Sequence, residues 1–322
     1  MSIVCSGSVA FDYLMKFPGY FKDHIIPDKL DKISLSFLVD EMTRRPGGTA
    51  TNICYSLALL KQKPYLFAAV GEDFEEYRER LVASGVNCDY AKVIPGKFTA
   101  SCFINTDISN SQIVSFYTGA MANSGELQLS DVIDAGVSVD LFLISPSDPR
   151  AMIDYVRQCE EDSIPYAFDP SQQLVRMTKD MIRTGIRGAK FLFCNEYEYD
   201  LIKKHGEFTD KDIQDLVYCR VTTRGKSGAV INVEGKEYKV PVYPARRRAD
   251  PTGVGDAFRS GFLAGYMHGL DWETCGRMGA LASTYVLEQN GPQSHKYTPK
   301  QFVDRYRKVW DDQGALDQFL ED

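Results

Sequence analysis

Asp-Pro-Thr-Gly-Val-Gly-Asp-Ala-Phe-Arg-Ser-Gly, at residues 250–261, says more about fold and function than any other stretch of the sequence. Glycines stand before a single carboxylate, Asp256, and the small and apolar residues that follow predict a buried helix. Glycines at the start of a helix let backbone N–H groups face an anion, and the helix dipole adds a positive partial charge. A carboxylate at this place can take a proton from a hydroxyl that attacks phosphate. The stretch therefore predicts phosphoryl transfer, with the phosphate charge held by the N–H groups of Gly253, Val254 and Gly255.

The composition is that of a soluble globular protein, since 44% of the 322 residues are hydrophobic and 25% are charged. The formal net charge of −7 disfavours binding to nucleic acid or to an anionic membrane. No apolar run approaches the roughly 20 residues of a membrane-spanning helix, and residues 1–5 lack the basic start of a secretory signal. The eight cysteines are scattered, and the four histidines have no metal-binding spacing. We expect a cytoplasmic protein with reduced thiols.

Strands and helices alternate from about residue 65 to about residue 320, which predicts a doubly wound, mostly parallel α/β sheet flanked by helices. Period-two patterns predict further strands, one over 31–45 and a pair joined by a turn over 98–118. Because these segments do not fit a parallel core, we expect a small antiparallel sheet, as a lid, a dimer interface, or both. The expected lid segments are about 10–45 and 98–118, within a single domain over 1–322.

The pair Gly47-Gly48, followed by Asn52, is a second candidate for function. Bare backbone at the glycines could approach a polar substrate closely, and the Asn52 amide offers both a donor and an acceptor. The alternative is the end of a strand followed by a residue that caps a helix.

Ser8 and Asp12 follow the first buried strand of the sequence. They are expected at the carboxyl edge of the sheet, where open α/β sheets bind ligands. Asp12 could accept hydrogen bonds from two neighbouring sugar hydroxyls. Alternatively, it is a solvated residue of a loop.

Asn195 and Glu198 lie three residues apart, on one face of a predicted helix that follows a strand. Their oxygens could hold Mg²⁺, or its waters, near phosphate groups. Alternatively, Asn195 caps the helix and Glu198 supports the cap from the first turn.

A glycine turn with two cations, Thr-Arg-Gly-Lys-Ser-Gly at 223–228, follows another predicted strand. It could lie along the phosphates of ATP, or it could be a surface turn. Arg220 stands where a Walker A loop requires glycine, so the turn is not a P-loop.

Together these motifs resemble the ribokinase (PfkB) family of carbohydrate kinases over essentially the whole chain. The C-terminal signature of the family is similar to residues 250–256, with Val254 in place of the usual alanine. Its N-terminal signature is similar to Gly47-Gly48 with Asn52, and its Asn-x-x-Glu motif is similar to residues 195–198. The resemblance implies a ribokinase-like fold and an ATP-dependent kinase that phosphorylates an alcohol.

Within that family, four further stretches resemble the bacterial adenosine kinases of actinobacterial type. They are Phe-Pro-Gly at 17–19, Ser-Leu-Ser-Phe-Leu-Val-Asp at 34–40, Ser-Phe-Tyr-x-Gly-Ala-Met at 115–121 and Asp-Pro-Ser-Gln-Gln-Leu at 169–174. Cys102 stands where an aromatic residue is expected. The resemblance implies phosphorylation of the 5′-hydroxyl of adenosine to AMP in purine salvage. A sugar kinase for ribose or fructose, and a catalytically silent nucleoside-sensing protein, are the alternatives.

The resemblance also implies a role for each candidate residue. Those implied to bind the nucleoside are Ser8, Asp12, Gly48 and Asn52 at the ribose, Ser36, Gln172 and Gln173 beside it, and Phe116 stacked on the purine. Those implied to bind the nucleotide and metal ions are Asn195, Thr223, Gly225 and Gly228 for ATP, Asn195 and Glu198 for Mg²⁺, and Asp250 and Thr252 for a possible K⁺. The implied partners are a nucleoside substrate and a second copy of the chain, paired through the lid sheet.

Overall fold

The computed structural model describes residues 2–25 and 34–321. In chain order, its strands are β1 (Ile3–Ser6), β2 (Ala10–Lys16), β3 (Glu41–Gly47), β4 (Tyr65–Val70), β5 (Ala91–Val93), β6 (Ala100–Thr106), β7 (Gln112–Tyr117), β8 (Leu141–Ile144), β9 (Tyr166–Phe168), β10 (Phe191–Asn195), β11 (Cys219–Thr223), β12 (Ala229–Val233) and β13 (Lys236–Val240). Its α-helices are α1 (Thr49–Leu59), α2 (Glu75–Ala83), α3 (Ser130–Asp134), α4 (Pro149–Glu161), α5 (Lys179–Ile186), α6 (Glu196–Gly206), α7 (Asp210–Leu216), α8 (Val254–Met267), α9 (Trp272–Leu287) and α10 (Pro299–Tyr306).

The large sheet has the strand order β13-β12-β11-β10-β9-β8-β1-β4-β5. Its strands from β11 to β5 are parallel, and the β12–β13 hairpin adds two antiparallel strands at one edge. The doubly wound, mostly parallel sheet predicted from the alternation of elements is therefore confirmed. Because β1 is flanked by β4 and β8, the strand order reverses beside it, which is where such sheets form a ligand crevice.

Two apolar layers cover the two faces of the large sheet. In β8, Leu141 and Leu143 belong to the layer formed with α1, α8 and α9, whereas Phe142 and Ile144 belong to the layer formed with α4, α5 and α6. Successive residues of a strand point to opposite faces, so a strand covered on both sides is apolar throughout. Among the described helices, none is long and apolar enough to cross a membrane.

The small sheet, here called the lid sheet, has the order β3-β2-β6-β7. Its outer pairings are antiparallel as expected, whereas β2 and β6 run parallel. The strand predicted over 31–45 is wrong for its first part, because residues 34–39 form no strand and 31–33 lie outside the described residues. The apolar alternation there has another cause, since the ring of Phe37 packs against the rings of Phe17 and Phe21 at 5.1 and 4.9 Å.

The sequence predicts three closing helices that begin near Val254, Asp271 and Thr298-Pro299, and α8, α9 and α10 begin at these places. Asp271 caps α9 by accepting from the N–H groups of Glu273 and Thr274, and Thr298 caps α10. Small residues let α8 and α9 approach closely along their lengths. A Cβ atom added to Gly261 of α8 would lie 2.5 Å from the backbone oxygen of Met278 in α9. The position of α8, and with it of Asp256, therefore depends on this contact.

Replacing Gly261 by valine is expected to lower the free energy of unfolding by about 2 kcal/mol, because the added side chain would force α8 and α9 apart. Urea denaturation of the purified protein measures the change. The matched control is Gly125→Val, since a Cβ at Gly125 meets nothing within 4 Å. Equal stability of the two variants would contradict the close packing of α8 on α9.

Candidate active site

Asp256 lies in the first turn of α8, just after Gly253, which has a φ of +76°. Its Oδ2 accepts a hydrogen bond of 2.8 Å from Nδ2 of Asn52 in α1. The side chain of Asp256 is 16% exposed, so the carboxylate remains accessible to a small molecule. Two residues singled out separately in the sequence, 204 positions apart, are thus brought into contact.

The charge state of Asp256 reflects opposing influences. Burial raises the pKa of this carboxyl and Glu198 raises it further, whereas Arg259 and the hydrogen bond from Asn52 lower it. The pKa remains above its ordinary value. A general base is most effective when its pKa approaches the working pH, so this environment suits proton abstraction.

A chain of hydrogen bonds runs from the base to the glycine pair. Oδ1 of Asn52 accepts from Nε2 of Gln293 at 2.9 Å, and the same amide donates to the hydroxyl of Tyr77. Tyr77 in turn donates to the backbone oxygen of Gly47 at 3.0 Å. The orientation of the Asn52 amide is therefore fixed from both ends. Sequence reasoning did not identify Gln293 or Tyr77.

The glycine pair connects the lid sheet to α1. Gly48 has a φ of +96°, and a Cβ there would lie 2.5 Å from the backbone oxygen of Ser8. Only glycine fits both the dihedral angle and the space. The hydroxyl of Ser8 accepts from the N–H of Thr49 at 3.0 Å, beside the start of α1. The predicted residues Ser8, Gly48 and Asn52 thus share one end of α1.

A row of four residues crosses the lid sheet on one face. Asp12 is paired with Arg45 on one side and with Cys102 on the other, and Cys102 is paired with Phe116. Directly paired residues of neighbouring strands project to the same face. Arg45 lies 3.8 Å from the carboxylate of Asp250, so this face is turned toward the loop before α8. Phe116 at the end of the row is 51% exposed.

The carboxylate of Asp12 has two charged neighbours, Arg45 and Asp250. Burial raises the pKa of its carboxyl, Arg45 opposes that rise, and Asp250 adds to it. A carboxylate beside a single guanidinium remains able to accept hydrogen bonds from hydroxyl groups.

Three other predicted residues have no contact with Asp256 among the hydrogen bonds and ion pairs of the described chain. Gln173 is buried and accepts from Arg176 at 3.1 Å, while Gln172 is exposed and accepts from Ser171 at 2.8 Å. Ser36 is exposed in the segment before β3. In the described part of the chain, no hydrogen bond or ion pair links these three side chains to the base.

Asn195 and Glu198 form a capping box at the start of α6. Asn195 Oδ1 accepts from the N–H of Glu198, and Glu198 Oε2 accepts from the N–H of Asn195, each at 2.8 Å. Thr223 at the end of β11 is paired with Asn195 at the end of β10. The helix-capping interpretation of the pair is therefore correct, and its second interpretation, as Mg²⁺ ligands, stays a prediction.

The glycine turn follows β11 at the same edge of the sheet. Gly225 and Gly228 have φ values of +53° and +85°, and Gly228 accepts from the N–H of Arg224 at 2.7 Å. Arg224 forms a 3.3 Å ion pair with Glu196. The turn is thus fixed beside the start of α6.

The loop before α8 is held by Asp250. Its Oδ1 accepts from the N–H of Thr252 at 2.9 Å, and its Oδ2 accepts from the N–H of Gly291 at 3.0 Å. The N–H of Val254 donates to Pro251 at 3.3 Å, which is a long bond.

Two further charged residues that sequence reasoning missed lie behind the base. Arg259, one turn after Asp256, forms a 2.6 Å ion pair with Asp169, which is completely buried. Burial raises the pKa of Asp169, and the guanidinium of Arg259 opposes that rise. A charged residue within the apolar stretch after Asp256 is the sequence signal that could have identified Arg259.

A carboxylate at the start of a helix, beside glycine N–H groups, suits a phosphotransferase that acts on an alcohol. Comparison with known proteins agrees, because the sequence profile described as "pfkB family carbohydrate kinase" matches residues 10–299. The chain belongs to the pfkB family of carbohydrate kinases.

Three relatives are informative. The nucleoside kinase of Burkholderia thailandensis in complex with inosine is 32% identical, covers 96% of this chain and 97% of its own, and has a TM-score of 0.85. The nucleoside kinase of Methanocaldococcus jannaschii is 28% identical over 95% of this chain and 98% of its own, with a TM-score of 0.84. Adenosine kinase 1 of Arabidopsis thaliana is 34% identical in an alignment of 130 positions that covers 35% of this chain and 38% of that protein.

Replacing Gln293 by alanine is expected to lower kcat/KM roughly tenfold, the effect of losing one hydrogen bond that orients Asn52 and through it the base. Steady-state kinetics measure the change. The control is Gln62→Ala, because Gln62 is a partly buried glutamine whose side chain also donates a hydrogen bond, to the backbone oxygen of Leu60 at 3.0 Å, and makes none to Asn52 or Asp256. Equal kcat/KM values for the two variants would contradict a role for Gln293 at the site.

Proposed function

We propose that this protein is a nucleoside kinase that transfers the terminal phosphate of ATP to the 5′-hydroxyl of adenosine and forms AMP, as in purine salvage. The observation that carries the proposal is the row across the lid sheet, which presents the carboxylate of Asp12 and the ring of Phe116 on one face. Vicinal ribose hydroxyls suit a carboxylate, and a purine suits an aromatic ring. The similarity to proteins named nucleoside kinase supports the same substrate class.

In the proposed reaction, Asp256 accepts the proton of the 5′-hydroxyl while that oxygen attacks the terminal phosphate. Asn52 holds the carboxylate through the 2.8 Å bond to Oδ2. The N–H groups of Gly253, Val254 and Gly255 stabilise the charge that develops on the phosphate. The Val254 group would have to exchange its long bond to Pro251 for a phosphate oxygen.

The proposed nucleoside site uses both the core and the lid. Asp12 and Asn52 bind the ribose, with Ser8 and Gly48 shaping the floor beneath it. Ser36, Gln172 and Gln173 would border the nucleoside after the lid closes over it. Phe116 stacks on the base, and Cys102 beside it leaves more room than the aromatic residue of the adenosine kinases.

ATP would lie along the carboxyl edge of β10 and β11, against Asn195, Thr223, Gly225 and Gly228. The structure of the Burkholderia thailandensis enzyme in complex with ADP-inosine supports the use of an adenine nucleotide. Glu198 fits Mg²⁺ because its Oε1 has no protein partner in the described part of the chain, and Asn195 adds an amide oxygen. The ion would neutralise phosphate charge.

Asp250 and Thr252 fit a K⁺ site less well than Asn195 and Glu198 fit a Mg²⁺ site. Both oxygens of Asp250 already accept backbone N–H bonds, and Arg45 supplies a positive charge 3.8 Å away. No step of the proposed reaction uses K⁺.

The proposed architecture is one kinase domain over 1–322, and the proposed protein partner is a second copy of the chain. The outer face of the lid sheet carries Tyr13 and Phe103, whose rings stack at 4.9 Å, and the exposed side chains of Met42 and Ile113. A homodimer through this face would remove apolar surface from water.

The substrate assignment predicts that adenosine is phosphorylated with a higher kcat/KM than inosine, guanosine, ribose or fructose. Release of ADP in a coupled assay measures each rate. Preference for another nucleoside would contradict adenosine as the substrate but would still agree with a nucleoside kinase. Preference for a sugar, or nucleoside binding without ADP release, would overturn the proposal.

Phe116→Ala is expected to raise KM for adenosine about tenfold through lost stacking. The control is Tyr218→Ala, because this partly exposed ring lies just before β11, at the edge of the large sheet opposite the carboxyl ends of its parallel strands.

The base assignment predicts that Asp256→Asn lowers kcat by about 10²–10⁴-fold, since an amide cannot accept the proton. Calorimetry should find adenosine still bound. The control is Asp271→Asn, which keeps an oxygen to cap α9 and should turn over like the wild type. Near wild-type turnover of Asp256→Asn would refute the mechanism.

A further inference from the structure

The guanidinium of Arg259 lies between two carboxylates. Its Nη2 is 2.6 Å from Oδ1 of Asp169, and its Nη1 is 4.0 Å from Oδ1 of Asp256. Only 8% of Arg259 is exposed, and Asp169 is not exposed at all. Asn52 bonds to the other oxygen of Asp256, Oδ2. The base is therefore held at one oxygen by a hydrogen bond and faced at the other by a buried cation.

The same guanidinium lies directly against the glycine backbone at the start of α8. A Cβ atom added to Gly255 would be only 2.9 Å from Nη1 of Arg259. Any side chain at position 255 would therefore displace the cation. This contact adds a full positive charge beneath N–H groups that already carry the partial charge of the helix end.

The Arg259–Asp169 pair is poorly arranged for a purely stabilising role. Nε of Arg259 and Oδ2 of Asp169 are both buried and have no hydrogen-bond partner within the described residues. Burying charges is costly unless their remaining donors and acceptors are satisfied.

A second buried pair, Arg305 with Glu288, shows the contrast. Its two bonds measure 2.9 and 2.7 Å, and Glu288 also accepts from the N–H of Arg246. An incompletely satisfied ion pair, in contact with the base and with the glycine backbone, points to a role in the reaction.

We propose that Arg259, anchored by Asp169, is a positioning residue that orients the Asp256 carboxylate and supplies positive charge beneath the phosphate-binding N–H groups. The inference rests on the proposed role of Asp256 as the base. Arg259 touches neither substrate nor phosphate itself. It acts through Asp256 and through the backbone of Gly255.

The first test separates kcat from KM. Arg259→Met is expected to lower kcat about tenfold or more while KM for adenosine changes less than about threefold, because the nucleoside does not contact the guanidinium. Arg259→Lys keeps the charge and should recover part of kcat. If Arg259→Met does not fold, kcat and KM are measured on Arg259→Lys and Asp169→Asn instead.

The second test is the pH profile. The groups that face Asp256 are Arg259 on α8, Asn52 on α1, Glu198 on α6 and, behind the guanidinium, Asp169 after β9. Loss of the Arg259 cation would raise the pKa of Asp256, so the acid limb of kcat should move up by about one pH unit in Arg259→Met. Asp169→Asn removes a negative charge and should move the limb down. A merely structural defect would not give shifts of opposite sign.

The matched control is Arg305→Met, which breaks a buried ion pair distant in sequence from the base. It should lower the melting temperature and leave the acid limb where the wild type has it. The inference is overturned if Arg259→Met loses stability in the same way but keeps the wild-type kcat and acid limb. If Asp256→Asn retains turnover, the base assignment fails instead, whatever the Arg259 variants do.

Discussion

The proposed mechanism depends on keeping the carboxylate of Asp256 charged in a largely buried place. Burial alone would favour the neutral acid of Asp256, and the nearby Glu198 strengthens that tendency. Three features oppose it, namely the amide of Asn52, the guanidinium of Arg259 and the N-terminus of α8. The amide of Asn52 comes from α1, whereas Arg259 and the helix N-terminus come from α8. The two helices must therefore pack in the correct register for the carboxylate of Asp256 to be ionised and accessible.

The topology of the large sheet brings the other candidate residues to one edge of the sheet. Parallel strands all end at one edge, so the residues that follow them are neighbours: Asp169 after β9, Asn195 at the end of β10 and Thr223 at the end of β11. The chain leaves β1 through Ser8 at the same edge and enters β2, which carries Asp12. The lid sheet thus continues the chain from the strand beside which the order reverses, and the row that contains Asp12 reaches the loop before α8 through the contact of Arg45 with Asp250.

Local patterns made much of this predictable. Helix caps such as Asn195, Asp271 and Thr298 act within three residues, and the glycines before Asp256 act within one turn, so the sequence alone indicates them. Gln293, Tyr77 and Asp169 could not be found in this way, because their partners lie 241, 216 and 90 positions away. The error in the first part of the strand predicted over 31–45 has a similar cause, since the alternation around Phe37 reflects packing on distant rings rather than strand pairing.

In the proposed mechanism, catalysis and substrate choice rely on different parts of the structure. The groups that set the charge of Asp256 belong to α1, α6 and α8, all packed on the large sheet, whereas the residues proposed to meet the base of the nucleoside lie on β6 and β7 of the lid sheet. Core positions tolerate few changes, because each side chain is close-packed against others. The side chains of Cys102 and Phe116 are not fully buried, so their size can change without disturbing Asp256. Asp12 is the exception, since its pKa responds to both Arg45 on the lid and Asp250 on the loop before α8, and it therefore links the two regions.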